Sequence, residues 1–195
     1  MKTKLFLVLL AFAAAGCASS NYSVKALYLL DSPRLTRDIS QLSGLSIFVD
    51  RFETAQPFDT CKFVYKTGAS KYEVDHYREF LVPPSVMVQL QTSDWLEDCG
   101  VKLVLSRGNA EFAVKGFITE FYLDASEDDV RQMVLEVRFF VFHNGEPIES
   151  FTLRAEDKPE SNTADEFVAS ADRSLRNILT RFERRLAELR RTEVQ

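Results

Sequence analysis

Glycine and proline are scarce in this chain, at 7 and 6 of 195 residues, and cysteine, histidine and tryptophan are scarcer still at 3, 2 and 1. So little Gly and Pro excludes collagen-like and low-complexity chains, which need far more of both. Two histidines and three cysteines at unrelated spacings are a poor supply for zinc, which takes a cluster of such ligands. No Gly-x-Ser-x-Gly elbow is present to raise a nucleophile, and no glycine-rich loop precedes a helix to cradle phosphate. The acidic run Asp124, Glu127, Asp128 and Asp129 lacks the glycine and the terminal glutamate of a calcium loop. His76 lies among charged residues and His143 in a turn sequence, which are settings of solvated side chains rather than of a general base. The expectation is a protein that is not an enzyme and holds neither cofactor nor metal. Positive charge is short as well: 24 Lys and Arg against 29 Asp and Glu give −5. The one basic cluster, Arg181, Arg184, Arg185, Arg190 and Arg191, reads as a complement to a helix dipole, pairing with Glu183 and Glu188. A chain so acidic grips a phosphate backbone poorly, so nucleic acid is not expected as a partner.

What the chain does have is 46% hydrophobic residues, 16 of them Phe, within a length that suits one globular domain. Its most specific signal is at the N-terminus. Lys2 and Lys4 precede an unbroken apolar run from Leu5 to Ala15, and the small residues Ala14, Ala15 and Gly16 lead into Cys17. The run would extend about 16 Å as a helix, against a bilayer core of about 30 Å, so it is a secretory signal rather than a membrane span. Ala14-Ala15-Gly16-Cys17 resembles the bacterial lipobox. The resemblance implies cleavage between Gly16 and Cys17, a diacylglycerol thioether on Cys17, and acylation of the new amine, commonly by palmitate. The other reading is a plain secreted protein with a chance cysteine at the cleavage site. Two or three buried acyl chains, at about 0.8 kcal/mol per CH₂, make such an anchor effectively permanent. Ala18 rather than Asp after the cysteine resembles the sorting pattern for the outer membrane, facing the periplasm. The expected layout is a signal peptide over 1–16, a lipidated Cys and tether over 17–27, and a single domain over 28–195.

Export changes how the other cysteines read. In an oxidising compartment Cys61 and Cys99 are disulfide candidates, closing a loop of about 38 residues worth roughly 4 kcal/mol. Two separate thiols behaving as small apolar residues are the equal alternative.

Along the mature chain, Ala26 to Leu30 and Leu45 to Phe52 read as strands, and Cys61 to Lys66 with Lys71 to Phe80 as a hairpin about Gly68-Ala69-Ser70. A helix is expected from Pro83-Pro84 to Gly100, with Val88, Thr92, Trp95 and Cys99 on one face. Glu111 to Leu123, Met133 to Phe142 and Pro147 to Ala155 read as three strands, the last two joined by a type I′ turn at Asn144-Gly145. A long final helix begins at the capping box Thr163-x-x-Glu166 and carries the stripe Phe167, Ala171, Leu175, Ile178, Phe182, Leu186 and Leu189. The order implies an α+β fold, a mostly antiparallel sheet with two helices packed on one face.

One feature exceeds what such a core needs. Met133, Leu135, Val137, Phe139 and Val141 complete one strand face, while the opposite face ends in Phe140 and Phe142, with Phe117 and Phe121 of the neighbouring strand as candidate companions. Either a loop covers these rings, or they form an apolar patch for a second copy of the chain, a partner protein or lipid.

With the lipobox, the early Tyr28-Leu29-Leu30, and the block from Ile47-Phe48-Val49-Asp50-Arg51 through Phe63-Val64-Tyr65-Lys66 and Tyr72 to Phe80, followed by Val82-Pro83-Pro84-Ser85-Val86-Met87, the chain resembles the ABC-type transport auxiliary lipoprotein family, which includes the paraquat-inducible protein C lipoproteins. Glu79-Phe80 departs from the basic-aromatic pair that relatives often carry at that point. The resemblance implies an outer-membrane-anchored docking component of an ABC-transporter and MCE-type lipid transport system, with an MCE-type lipid-binding protein as partner. The competing class is a structural or assembly lipoprotein supporting an outer-membrane protein complex.

Overall fold

The computed structural model describes residues 25–36, 38–127 and 130–193. Their strands, in chain order, are β1 (Ala26–Tyr28), β2 (Ser46–Val49), β3 (Glu53–Thr54), β4 (Lys62–Gly68), β5 (Lys71–Phe80), β6 (Lys102–Leu103), β7 (Phe112–Glu127), β8 (Val130–His143) and β9 (Glu146–Asp157), with helices α1 (Pro84–Asp98) and α2 (Ala164–Glu193). The fold is α+β, as expected, with one nine-stranded mixed sheet. Its long pairings, β7 with β8, β8 with β9 and β4 with β5, are antiparallel. The parallel pairings are short. β7 organises them: along the edge away from β8 it meets β2 at Phe112 to Val114, β3 at Phe117 and Ile118, and β4 at Leu123 and Asp124. β5 and then β1 extend the sheet beyond β4, and β6 extends it beyond β2.

Local chemistry sets the element ends. Pro84 occupies the first turn of α1, where a missing N–H costs nothing. The same helix stops at Gly100, whose φ of +77° suits a residue without Cβ. The amide of Gly100 donates to the Glu97 carbonyl and that of Val101 to the Leu96 carbonyl, the two bonds of a Schellman cap. Asn144 and Gly145 take φ of 50° and 87°, the positive pair a type I′ turn requires. At the start of α2 the Thr163 hydroxyl accepts the Glu166 amide at 3.3 Å, so that half of the capping box forms. The Glu166 carboxylate turns instead to the Glu160 amide and to Arg173, which pairs more strongly than a backbone donor.

Both helices cover one face of the sheet. From α2, Phe182 stacks on Phe139 at 4.4 Å and Phe167 on Phe63 at 4.4 Å. Met133, Leu135, Val137, Phe139 and Val141 of β8 are all fully buried beneath it. Each such ring contributes about 1.5–3 kcal/mol through burial. Gly116 also lies on this face, opposite Phe139, and the ring of Phe52 fills the space a side chain would take. Val88, Thr92, Trp95 and Cys99 of the α1 face are buried as well.

β3 and β6, two residues each, had no sequence signal of their own. They exist because β7 and β2 offer ladder positions to whatever chain passes.

Candidate functional site

The lipidation and cleavage positions, Cys17 and Gly16, lie outside the described residues. What the structure places is the chain that follows them. Lys25 and β1 come first, and the backbone of Leu29 to Thr36 and of Asp38 to Gly44 forms a strap against the helices. The strap is tied at two points.

At the first, the Asp172 carboxylate on α2 accepts the Asp31 amide at 2.8 Å and the Ser32 hydroxyl at 3.2 Å. Gln91 of α1 accepts the Ser32 amide at 2.6 Å, so both helices hold Ser32. Burial pushes the Asp172 carboxyl up to about 6, against the opposing pull of these two bonds. At the second, Glu183 accepts a bidentate pair from Arg34 (3.0 Å from Nε and 3.0 Å from Nη2), the Ser40 hydroxyl at 2.7 Å and the indole N–H of Trp95 at 3.0 Å. Burial would raise this carboxyl, but the three donors outweigh it and hold it below the usual carboxylate range.

This hub was not legible beforehand. Glu183 was expected to pair with neighbouring arginines on its own helix, yet its cation is Arg34, 149 residues away. Of the C-terminal arginines, Arg185 pairs with Glu188 as expected and also with Glu149, while Arg181 donates to the Arg154 carbonyl and Arg190 to the Gln41 carbonyl. An open cleft of about 400 Å³ between the strap and the end of α1 is lined by Arg34, Ile39, Ser40, Asp98 and Cys99, among others.

Cys61 and Cys99 are separate free thiols. Cys61 stands just before β4 near Glu79 and Asp59, whereas Cys99 closes α1 beside Ser40 and Glu183, so the two belong to different neighbourhoods and the loop between them is left open. Burial pushes the Cys99 thiol up to about 12, the behaviour of an inert core residue.

The four aromatic candidates divide. Phe117, Phe140 and Phe142 do share the face away from the helices, and all three are half-buried. In register Phe140 stands opposite Lys115, Phe117 opposite Arg138 and Phe142 opposite Ala113, so two of the three rings face a cation across the ladder. The Arg107 guanidinium covers Phe142 at 4.2 Å, and Lys115 is paired with Glu53 at 2.7 Å. Phe121 does not join them. The β7–β8 register shifts between Ile118 and Glu120, and the extra residue turns Phe121 onto the helix-facing side, where it is buried against Phe80 at 5.3 Å. The same shift sends Tyr122 to the outer face, where it stacks on Phe58 at 5.6 Å. His143 packs on Phe112 at 4.7 Å, and His76 is exposed.

Among the described residues, no three His, Cys, Asp or Glu side chains come together as a metal cluster, and no helix is long and apolar enough to cross a membrane. The residues brought together are those that hold a strap, a sheet and two helices in one α+β unit.

No model of a known family matches the chain, and no curated protein matches it in sequence. Solved structures do match. A Xanthomonas campestris protein of the DUF330 family superposes with a TM-score of 0.65 at 14% identity, over 81% of this chain and 90% of that one. A second crystal structure, of an uncharacterized protein, gives 0.66 at 15% identity over 84% and 99%. At these identities the likeness is one of fold. A minor lipoprotein from Acinetobacter baumannii is more distant, with a TM-score of 0.39 at 14% identity over 74% and 94%.

Proposed function

We propose that the chain is an outer-membrane-anchored, periplasm-facing lipoprotein that serves as the auxiliary docking component of an ABC-transporter and MCE-type intermembrane lipid transport system. The observation that carries this reading is the presence, in one chain, of the lipid-attachment context at Cys17 and the family-like block from Ile47 to Met87. In the fold that block is continuous, running from β2 through the β4–β5 hairpin into the first turn of α1. The strap, tied to α2 through Asp172 and Glu183 and to α1 through Gln91, gives the anchored end a rigid connection to the sheet. A rigid connection is what a docking module needs to hold the far end of a conduit at a membrane. In this role the chain supplies position, an MCE-type lipid-binding protein is its partner, and ATP hydrolysis at the inner membrane supplies the energy. A second copy of the chain is a further candidate partner through the outer sheet face.

The reading is tested in two stages. Cys17→Ser should move the protein from the membrane fraction to the soluble periplasm, and a variant still in the membrane fraction overturns the anchor. Affinity purification of the wild-type chain from solubilised envelopes should bring down an MCE-type protein. A β-barrel partner in its place would assign the chain to the assembly lipoproteins instead.

A further inference from the structure

The free edge of the sheet next to the tether is apolar where it has no structural reason to be. β1 pairs with β5 so that Tyr28 stands opposite Phe80, and both turn toward the core. Alternation therefore places Leu27 and Leu29 of the β1 segment on the other side, with Glu79 and Leu81 of the β5 segment, while Tyr77 adjoins them at the register shift in β5. Of these, Leu27, Leu29 and Leu81 are 52%, 51% and 53% exposed and Tyr77 70%. The single acid, Glu79, is neutralised by Lys25.

We propose that this edge is seated on the bilayer to which Cys17 attaches the chain. The proposal rests on the Cys17 reading and goes beyond it, because an anchor alone leaves the domain free to tumble. About eight residues separate Cys17 from Lys25, a reach of at most roughly 26 to 29 Å when fully extended. The first described residues after the anchor are thus the ones nearest the membrane, and they carry the leucines. Three leucines with a tyrosine, whose ring is apolar and whose hydroxyl stays wet, match the boundary between acyl chains and headgroups. So small a patch would not hold a free domain. A short tether raises its local concentration to about the millimolar range, where weak contact suffices. A protein partner at this edge would have to enter the space under the tether.

The test uses the full lipidated chain in vesicles of phosphatidylethanolamine and phosphatidylglycerol with brominated acyl chains. The native Trp95 is buried and gives a constant background. Leu29→Trp should show emission shifted to the blue and loss of fluorescence to the brominated lipid. Tyr77→Trp is a second reporter should the first variant fold poorly. Leu105→Trp, at a fully exposed leucine just after β6 beyond the opposite end of the strand order, should lose none. Vesicle flotation separates the two ideas. A chain that floats while both reporters stay unquenched, or lose no more than residue 105, overturns the seated edge and leaves the anchor standing. A chain that does not float overturns the anchor and the seated edge with it. Shielding of either reporter that appears only on adding a periplasmic protein would assign the edge to that protein and overturn the proposal.

Discussion

Replacing Gly116 by alanine adds one methyl group where the Phe52 ring already fills the space. An ideal Cβ there would lie 2.3 Å from Phe52 Cε2, 2.4 Å from Cδ2 and 2.7 Å from Cζ, all far inside contact distance. A flexible surface side chain could step aside, but the Phe52 ring is 1% exposed and meets Phe139 edge-on at 6.2 Å. Phe139 is in turn stacked on Phe182 of α2 at 4.4 Å, so displacing one ring disturbs three. Overpacking of this kind costs about 1–3 kcal/mol. The entropy gained by removing a strand glycine returns about 0.5–1 kcal/mol. A net loss of about 1–2 kcal/mol is expected, which in a domain of this size lowers Tm by roughly 2–8 °C. Thermal melts followed by far-UV circular dichroism, with urea unfolding alongside, measure it on the soluble Cys17→Ser chain. Phe52→Leu should partly rescue Gly116→Ala, giving a double variant more stable than the two single losses summed. A Gly116→Ala chain as stable as its parent, or additive losses in the double variant, would refute the account of this contact.

The two strap ties give opposite pH behaviour. Asp172 has a folded pKa raised to about 6 against 3.8, so its favourable contribution is complete below pH 3.8 and is lost as pH rises through 6. Asp172→Asn keeps an oxygen for the Asp31 and Ser32 donors, and should be about 1 kcal/mol more stable than wild type at pH 7 after allowing for solvent access, with no gain at pH 4. Urea midpoints at the two pH values check this, and equal midpoints at pH 7 would count against the buried carboxylate. Glu183 is shifted the other way, so its contribution is present at neutral pH and disappears only as acid brings the pH down through its lowered folded pKa. Glu183→Gln leaves the Arg34 guanidinium, 7% exposed, without its counter-charge and should cost about 2–3 kcal/mol at pH 7. Limited proteolysis within 33–41 should accelerate in parallel, and an unchanged cleavage rate would show that the hub does not hold the strap.

Periodic features were readable in advance because their causes are local. The five core residues of β8, the Asn144-Gly145 turn, the Gly100 stop and the α2 stripe each follow from neighbours within a few residues. Phe121 was misplaced because alternation counts in twos, and one added residue near Thr119 reverses the count without leaving a mark in composition. The Glu183 hub was missed for a different reason: Arg34, Ser40 and Trp95 are ordinary residues in three separate segments, and only the closed fold brings them to one carboxylate. At the candidate site, the anchor context at Cys17 is a reading of the sequence that falls outside the described residues, while the apolar edge at β1 depended on knowing that β1 adds in parallel to β5.

The way β7 shares one edge among β2, β3 and β4 also sets a timetable. A chain made from its N-terminus presents β2 and β3 long before Phe112 to Ile118 emerge to pair with them. The β4–β5 hairpin can close at once, and β7, β8 and β9 form a meander from neighbours in sequence, which are the fast steps of folding. Residues 46–54 therefore wait as unpaired, apolar chain until the meander arrives. During that interval the same segments that later finish the sheet are the ones most open to aggregation, and most in need of an escort.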